Sequence, residues 1–301
     1  MGKNIITDTT DFFSIEYGDE VLVGGKKYII KGYERERRFG IEDPKFWVKL
    51  ADELATGEKK IIKLTYFERF EITLAGIKIR CFRNPDKEGE ILKLVQDHPY
   101  FMHGEVYQDI KGNNVRILEI VRGQNFFSYI GSLSIPHKVY FEKFLPGILR
   151  RLVKAFKAIR FLHLHGYKHG DIRNDHIIVE KNTGNYVWID FDYDYEFIEN
   201  PFALDIFGVG NVLLNAIGMG IHELHMIKHD KISYKDLYEH VEPGDFSIID
   251  RSRFVNLQKL YPYVPKMLND VLMHFSRSAH VHYENMDEVI EDINKCLYSV
   301  F

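Results

Sequence analysis

The sequence predicts an α+β fold in two lobes, on three observations. The first third reads as short strands and turns, with one helix. After Gly123 the apolar spacing turns helical. Between the helical stretches lie two short apolar runs, each flanked by a carboxylate. Sheet first and helices later implies a single domain with an N-terminal antiparallel sheet plus one helix (residues 1–121) and a mainly helical C-terminal lobe (122–301), hinged near Glu119 to Phe127.

In the N-terminal part, Glu20–Val23 and Lys27–Lys31 flank Gly24-Gly25 as a hairpin. Phe46–Leu50 and Lys60–Tyr66 follow, separated by a polar turn with Gly57; Phe70–Leu74 and Ile77–Phe82 complete the expected sheet. Asn84-Pro85-Asp86 is a helix-start signal, and Ile91, Leu92, Leu94 and Val95 cluster on one face before His98-Pro99. Glu105–Gln108 and Val115–Val121 read as two more strands. Beyond the hinge, one long amphipathic helix is expected from about Lys138 to His165, then helices at Phe202–Gly218, Val264–Phe275 and Asn285–Leu297.

The chain has 301 residues and a formal net charge of −4, which argues against bulk binding of nucleic acid. Cys81 and Cys296 form no metal-like pair and read as reduced thiols. The N-terminus lacks the apolar core of a signal peptide. Phe202 to Ile221 approaches the length of a membrane span, but Asp205, Asn211 and Asn215 interrupt it, so a buried helix is expected rather than stable membrane insertion. The expected location is cytoplasmic.

The segment richest in chemistry is His169-Gly-Asp-Ile-Arg-Asn-Asp-His176, which leads into Ile177-Ile-Val179. The Lys181–Asn185 turn then leads to a second apolar run ending in Ile189-Asp190-Phe191-Asp192. Antiparallel pairing across so short a turn brings Asp171 and Asp190 to the same end of the ribbon. Paired carboxylates there suit a general base and a metal ligand.

These residues resemble the protein-kinase-like superfamily, and the likeness runs from about Tyr28 to the C-terminus. His169-Gly170-Asp171 is similar to the catalytic-loop signature and Asp190-Phe191-Asp192 to the metal-binding signature. Lys63 resembles the lysine of the third strand, and Glu88 the helix glutamate that pairs with it. Ile117–Val121 with Gly123 resembles the hinge, and Asp205 the aspartate opening the buried helix beneath the catalytic loop.

The resemblance implies a bilobal protein-kinase-like fold that binds ATP and Mg²⁺ in its cleft. Lys63 would contact phosphates, Glu88 would orient Lys63, and backbone groups of Glu119 and Val121 would pair with adenine. Asp190 would bind metal, Asp171 would act on the acceptor hydroxyl, and Arg173 would sit near the γ-phosphate. The implied activity is phosphate transfer to a hydroxyl, protein Ser/Thr by default, with a small-molecule or glycolipid kinase and a pseudokinase acting as a nucleotide- or partner-binding module as alternatives.

Several positions depart from the family pattern. His176 stands where the family usually carries an asparagine metal ligand, and imidazole is a less usual Mg²⁺ ligand. Bacterial lipopolysaccharide sugar kinases are similar in having a histidine there. Gly170 replaces an arginine, Asp192 replaces a glycine, and no Ala-Pro-Glu motif lies between Asp190 and Asp205. In place of a glycine-rich phosphate loop stands Gly32–Gly40, whose Arg35, Arg37 and Arg38 read first as a solvated hairpin tip and second as phosphate contacts. His163, His165 and His169 fit a helix end and a packed loop better than a metal cluster. His222, His225 and His229 fit a polar surface helix. Asp192 and Asp194 read equally as a solvated acidic loop and as further metal ligands.

Overall fold

The computed structural model describes residues 4–38, 41–74, 76–197 and 199–301, with side chains throughout these except over 36–42. It is a mixed α+β structure whose sheets are largely antiparallel. In chain order the first elements are β1 (Ile5–Ile6), β2 (Glu20–Val23), β3 (Lys26–Arg38), β4 (Ile41–Glu53), β5 (Lys59–Lys63), β6 (Arg69–Leu74), β7 (Ile77–Arg83), α1 (Pro85–Leu94), β8 (Gly104–Gln108) and β9 (Asn114–Glu119). Next come β10 (Gly123–Asn125), α2 (Phe126–Gly131), α3 (His137–Lys143), α4 (Leu145–Leu164), β11 (Ile177–Glu180), β12 (Tyr186–Trp188), β13 (Tyr193–Glu196) and α5 (Ala203–Gly218). The short helices α6 (Leu224–His229), α7 (Lys231–Tyr234), α8 (Leu237–His240) and α9 (Leu257–Leu260) precede α10 (Lys266–Met273) and α11 (Met286–Ser299).

Contacts divide the chain into two compact units. The first runs up to Arg69 and resumes over Phe82–Arg122; the second is Phe70–Cys81 with Gly123–Phe301.

The first unit is built on a seven-stranded sheet in the order β1-β2-β3-β4-β5-β9-β8. Val21, Val23, Tyr28, Ile30, Ala51, Ile62, Val115 and Ile117 gather in its core with Phe12 and Ile15. Period-2 alternation puts these residues on one face, and each large apolar side chain so buried contributes about 1.5–3 kcal/mol. The helix α1 starts where the sequence signals it. Asn84 caps it by accepting the Lys87 N–H at 3.0 Å, Pro85 occupies its first turn, and Asp86 and Glu88 lie at the positive end of its dipole.

In the second unit the long helix expected over 138–165 is two helices. Pro146 sits in the first turn of α4: it has no N–H for a residue four back and its ring crowds that turn, so the chain breaks at Phe144. Leu149, Leu152, Phe156, Ile159 and Leu162 of α4 are buried, and Trp188 donates its indole N–H to Ala155 O at 2.9 Å, tying β12 to the helix. The helix α5 runs over 16 residues, and among the described residues no helix is long and apolar enough to cross a membrane. Its last carbonyls are taken up by side chains: Tyr140 Oη donates to Ala216 O at 2.6 Å, and the Nε2 atoms of His137 and His222 meet Ile217 O at 2.8 Å and Gly218 O at 3.1 Å. Burial lowers the pKa of both histidines, that of His137 to about 4.

Two further expectations are corrected. The strands β6 and β7 do not extend the seven-stranded sheet; they form a separate sheet in the order β13-β7-β6. There Ile79 and Cys81 pack with Tyr195, backed by Ile72, Leu74, Phe197 and Leu204. Alternation within a strand says which face is apolar, not which sheet receives it. His222 is not on a polar surface helix: it precedes α6, and its Nδ1 is 2.7 Å from Tyr234 Oη.

Candidate functional site

In the first unit, Lys63 ends β5 and Glu88 lies in the first turn of α1. Their side chains meet at 2.9 Å, Nζ to Oε1, and both are buried. A third residue joins them. Arg116 in β9 is the cross-strand partner of Lys63, and its Nε donates to the other Glu88 oxygen at 3.0 Å. Arg116 further donates to Asn114 O and Leu64 O, each at 3.1 Å. Like charges opposite one another on paired strands repel; here one carboxylate lies between them and accepts from both.

Glu119, at the end of β9, donates its N–H to His103 O at 2.9 Å, so that N–H is already engaged. Val121 lies in the stretch between β9 and β10. Glu119, Ile120 and Arg122 line a cavity of about 550 Å³ with Thr56, Glu58 and Lys60. Arg35 packs over the Tyr33 ring at 5.2 Å; the side chains of Arg37 and Arg38 lie outside the described residues.

In the second unit the expected hairpin is present. Ile177 pairs with Trp188, and Ile189 N donates to His176 O at 3.0 Å, so His176 and Asp190 leave the ribbon at the same end. The His176 ring stands between the two carboxylates. Its Nδ1 is 2.8 Å from Asp171 O and 3.4 Å from Asp171 Oδ2, and its Nε2 is 3.8 Å from Asp190 Oδ2. The two ring nitrogens therefore face oxygen atoms of the two loops, Nδ1 toward Asp171 and Nε2 toward Asp190.

Asp190 holds a left-handed backbone (φ 60°), a conformation that costs a non-glycine residue energy and tends to persist at functional sites. Burial pushes the pKa of Asp171 up and the nearby Asp190 and Asp192 add to the rise, against the pull of His176 and Arg173. Arg173 forms a two-pronged ion pair with Asp175, and one of its nitrogens lies 4.0 Å from Asp171 Oδ2. Asp192 is buried rather than part of a solvated loop, and Asp194 pairs with Lys168 at 3.1 Å.

The loop carrying Asp171 is held from below by Asp205, which opens α5 and is fully buried. It accepts the N–H groups of His169 at 2.7 Å and Gly170 at 2.9 Å, and His163 Nε2 lies 3.0 Å away, its ring stacked on Phe202. Burial alone would raise the Asp205 pKa; the hydrogen bond and charge of His163 with the loop N–H groups outweigh it and hold the pKa below the usual value. Two glycines make the approach possible. Gly170 has φ 89°, a conformation that disfavours the arginine found there in the resembled family. A Cβ on Gly208 of α5 would lie 2.7 Å from Ile172 O, so the glycine lets the helix pass directly beneath the loop.

His163 and His169 are packed rather than gathered: His169 is buried beside Trp188 and Phe191, and His165 Nδ1 is 2.8 Å from Phe161 O at the end of α4. Among the described residues no group of three or more His, Cys, Asp or Glu is arranged to hold a metal ion. The donors that face one another are the Asp190 carboxylate and His176 Nε2. Asp190 offers the kind of oxygen ligand a hard cation such as Mg²⁺ takes, whereas the His176 imidazole is a softer ligand.

Sequence reasoning missed Arg116, the His163–Asp205 pair and the Gly208 contact. Arg116 had a readable signal, a lone charge within the apolar run Val115–Leu118; the other two depend on α4 and α5 packing against the loop. No protein-family model matches the chain, and no curated protein is similar enough in sequence to be matched to it.

Proposed function

We propose that this chain is an ATP-dependent phosphotransferase that moves a γ-phosphate to a hydroxyl, with protein serine or threonine as the first acceptor class to test. The observation that carries the reading is the buried Lys63–Glu88 pair at 2.9 Å, in which a helix carboxylate orients a strand lysine. Such a lysine supplies fixed positive charge for phosphate oxygens, and phosphoryl transfer depends mainly on positioning and charge neutralisation. Asp171, with its raised pKa, can take or orient the acceptor proton. Asp190 and His176 would hold Mg²⁺, which neutralises phosphate charge when bound. Arg173, drawn toward Asp175, would reach the γ-phosphate by exchanging that partner.

The test is transfer of labelled γ-phosphate by the purified protein to itself, to generic protein acceptors and to sugar acceptors, beside Lys63→Ala and Asp171→Asn. Transfer that both substitutions abolish is the expected result. Label on a sugar instead of Ser or Thr would move the acceptor to the small-molecule or glycolipid class.

One observation favours a second reading, a nucleotide-binding module without turnover: the His176 ring reaches toward Asp190 from where a second oxygen ligand would be wanted. Thermal stabilisation by ATP with Mg²⁺ but no transfer to any acceptor would select it. If neither ATP nor Mg²⁺ shifts the melting temperature, both readings fail.

A further inference from the structure

We propose that Arg116 is a positioning residue that anchors Glu88, and with it α1, so that Lys63 can shift toward a phosphate without stranding a buried carboxylate; this rests on the phosphotransfer reading.

The geometry separates the two jobs. Glu88 uses Oε1 for Lys63 and Oε2 for Arg116, at 2.9 and 3.0 Å. A buried carboxylate with a single cationic partner would be left uncompensated whenever that partner moved, at a heavy energetic cost. Here the second cation remains. Arg116 is itself immobilised, because its NH1 and NH2 groups donate to Asn114 O and Leu64 O while Nε holds the carboxylate. Its planar fork presents these donors in fixed directions, whereas the three donors of an ammonium rotate on a flexible stem.

Lys63 and Arg116 are direct cross-strand partners on β5 and β9, both fixed by the sheet register, whereas Glu88 comes from a helix. The strands therefore set the position of the carboxylate, and through it Arg116 holds α1 in the pairing position. A helix tied only through Lys63 could swing out and break the pair; tied through Arg116, it stays. On this account the site is not regulated by displacement of α1.

Hydrogen exchange across α1, read by mass spectrometry on the full chain, tests the anchor without nucleotide. Lys63→Met should leave the exchange of 85–94 within about twofold of wild type, while Glu88→Gln should speed it by tenfold or more, since local opening sets the rate. Loosening of α1 by Lys63→Met as large as that by Glu88→Gln overturns the proposal.

Titration with ATP and Mg²⁺ tests the consequence. Arg116→Gln should weaken binding about tenfold, roughly 1.4 kcal/mol, Arg116→Lys should recover most of that, and Arg116→Gln should add less than about twofold in a Glu88→Gln background. A purely structural role would lower the melting temperature without this dependence on Glu88. Binding by wild type that Arg116→Gln leaves unchanged overturns this inference alone. Absence of binding by wild type overturns the phosphotransfer reading and this one with it. If Arg116→Gln does not fold, the exchange comparison, which does not use that variant, decides.

Discussion

Asp171 and Asp205 serve one loop, and their surroundings shift their pKa values in opposite directions. Asp205 is fully buried, yet two loop N–H groups and His163 hold its pKa down. Asp171 keeps about a fifth of its side chain exposed (21%), yet its pKa is raised, with Asp190 and Asp192 adding to the effect of burial. The difference lies in what each carboxylate accepts. Donors aimed at the charged form keep Asp205 ionised and make it a fastener; burial, reinforced by the nearby Asp190 and Asp192, makes Asp171 readier to take a proton. Environments that push two carboxyl groups apart in this way separate structural from chemical roles.

The comparison can be broken at either carboxylate. On the phosphotransfer reading the largest expected effect is on chemistry: Asp171→Asn should lower phosphate transfer by about 10²–10⁴-fold with little loss of stability, as read by label incorporation beside urea unfolding. Asp205→Asn should do the reverse first, costing about 3–5 kcal/mol in urea because a buried charged network loses its centre, with activity falling as the loop loosens.

The pH dependence should sharpen the contrast. For Asp205, with a folded pKa below 3.8, the stability contribution is complete above that unfolded value and is lost as pH falls through the folded one. For Asp171, with a folded pKa above 3.8, the contribution is present below 3.8 and is lost as pH rises through the folded value. Urea titrations between about pH 3 and pH 7 should therefore find that Asp205→Asn flattens the acid limb, while Asp171→Asn gains on wild type as pH rises. Gly208→Ala, which drives a methyl into Ile172, should cost about 1–3 kcal/mol and reduce transfer through the displaced Asp171 loop. His163→Gln is the mildest, about 1 kcal/mol in the same unfolding assay, since the two loop N–H groups still hold Asp205.

Local chemistry was legible in the sequence where a residue's neighbours in the chain decide its conformation. Asn84-Pro85 marks the start of α1, the Lys181–Asn185 turn marks the β11–β12 hairpin, and the hairpin brings His176 and Asp190 to one end. What depends on a distant partner was not legible. Pro146 could have been read as a break in the long helix, but the strong apolar spacing on both sides masked it. The allegiance of β6 and β7 was invisible, because nothing within 69–83 names the strand at 193–196 as its neighbour. Arg116 reads as an anomaly in an apolar strand until the carboxylate of α1 is found against it.

The sheet made by β6, β7 and β13 also bears on the order in which the chain can fold. On the ribosome, β6 and β7 emerge well before β13 exists, and Ile79 and Cys81 have no Tyr195 to cover them. At translation speeds of about 5–20 residues per second the wait lasts several seconds, long compared with hairpin formation. The first unit can close its seven strands in that interval and leave the 70–81 segment looped out, an open edge available to a holdase or to another nascent copy.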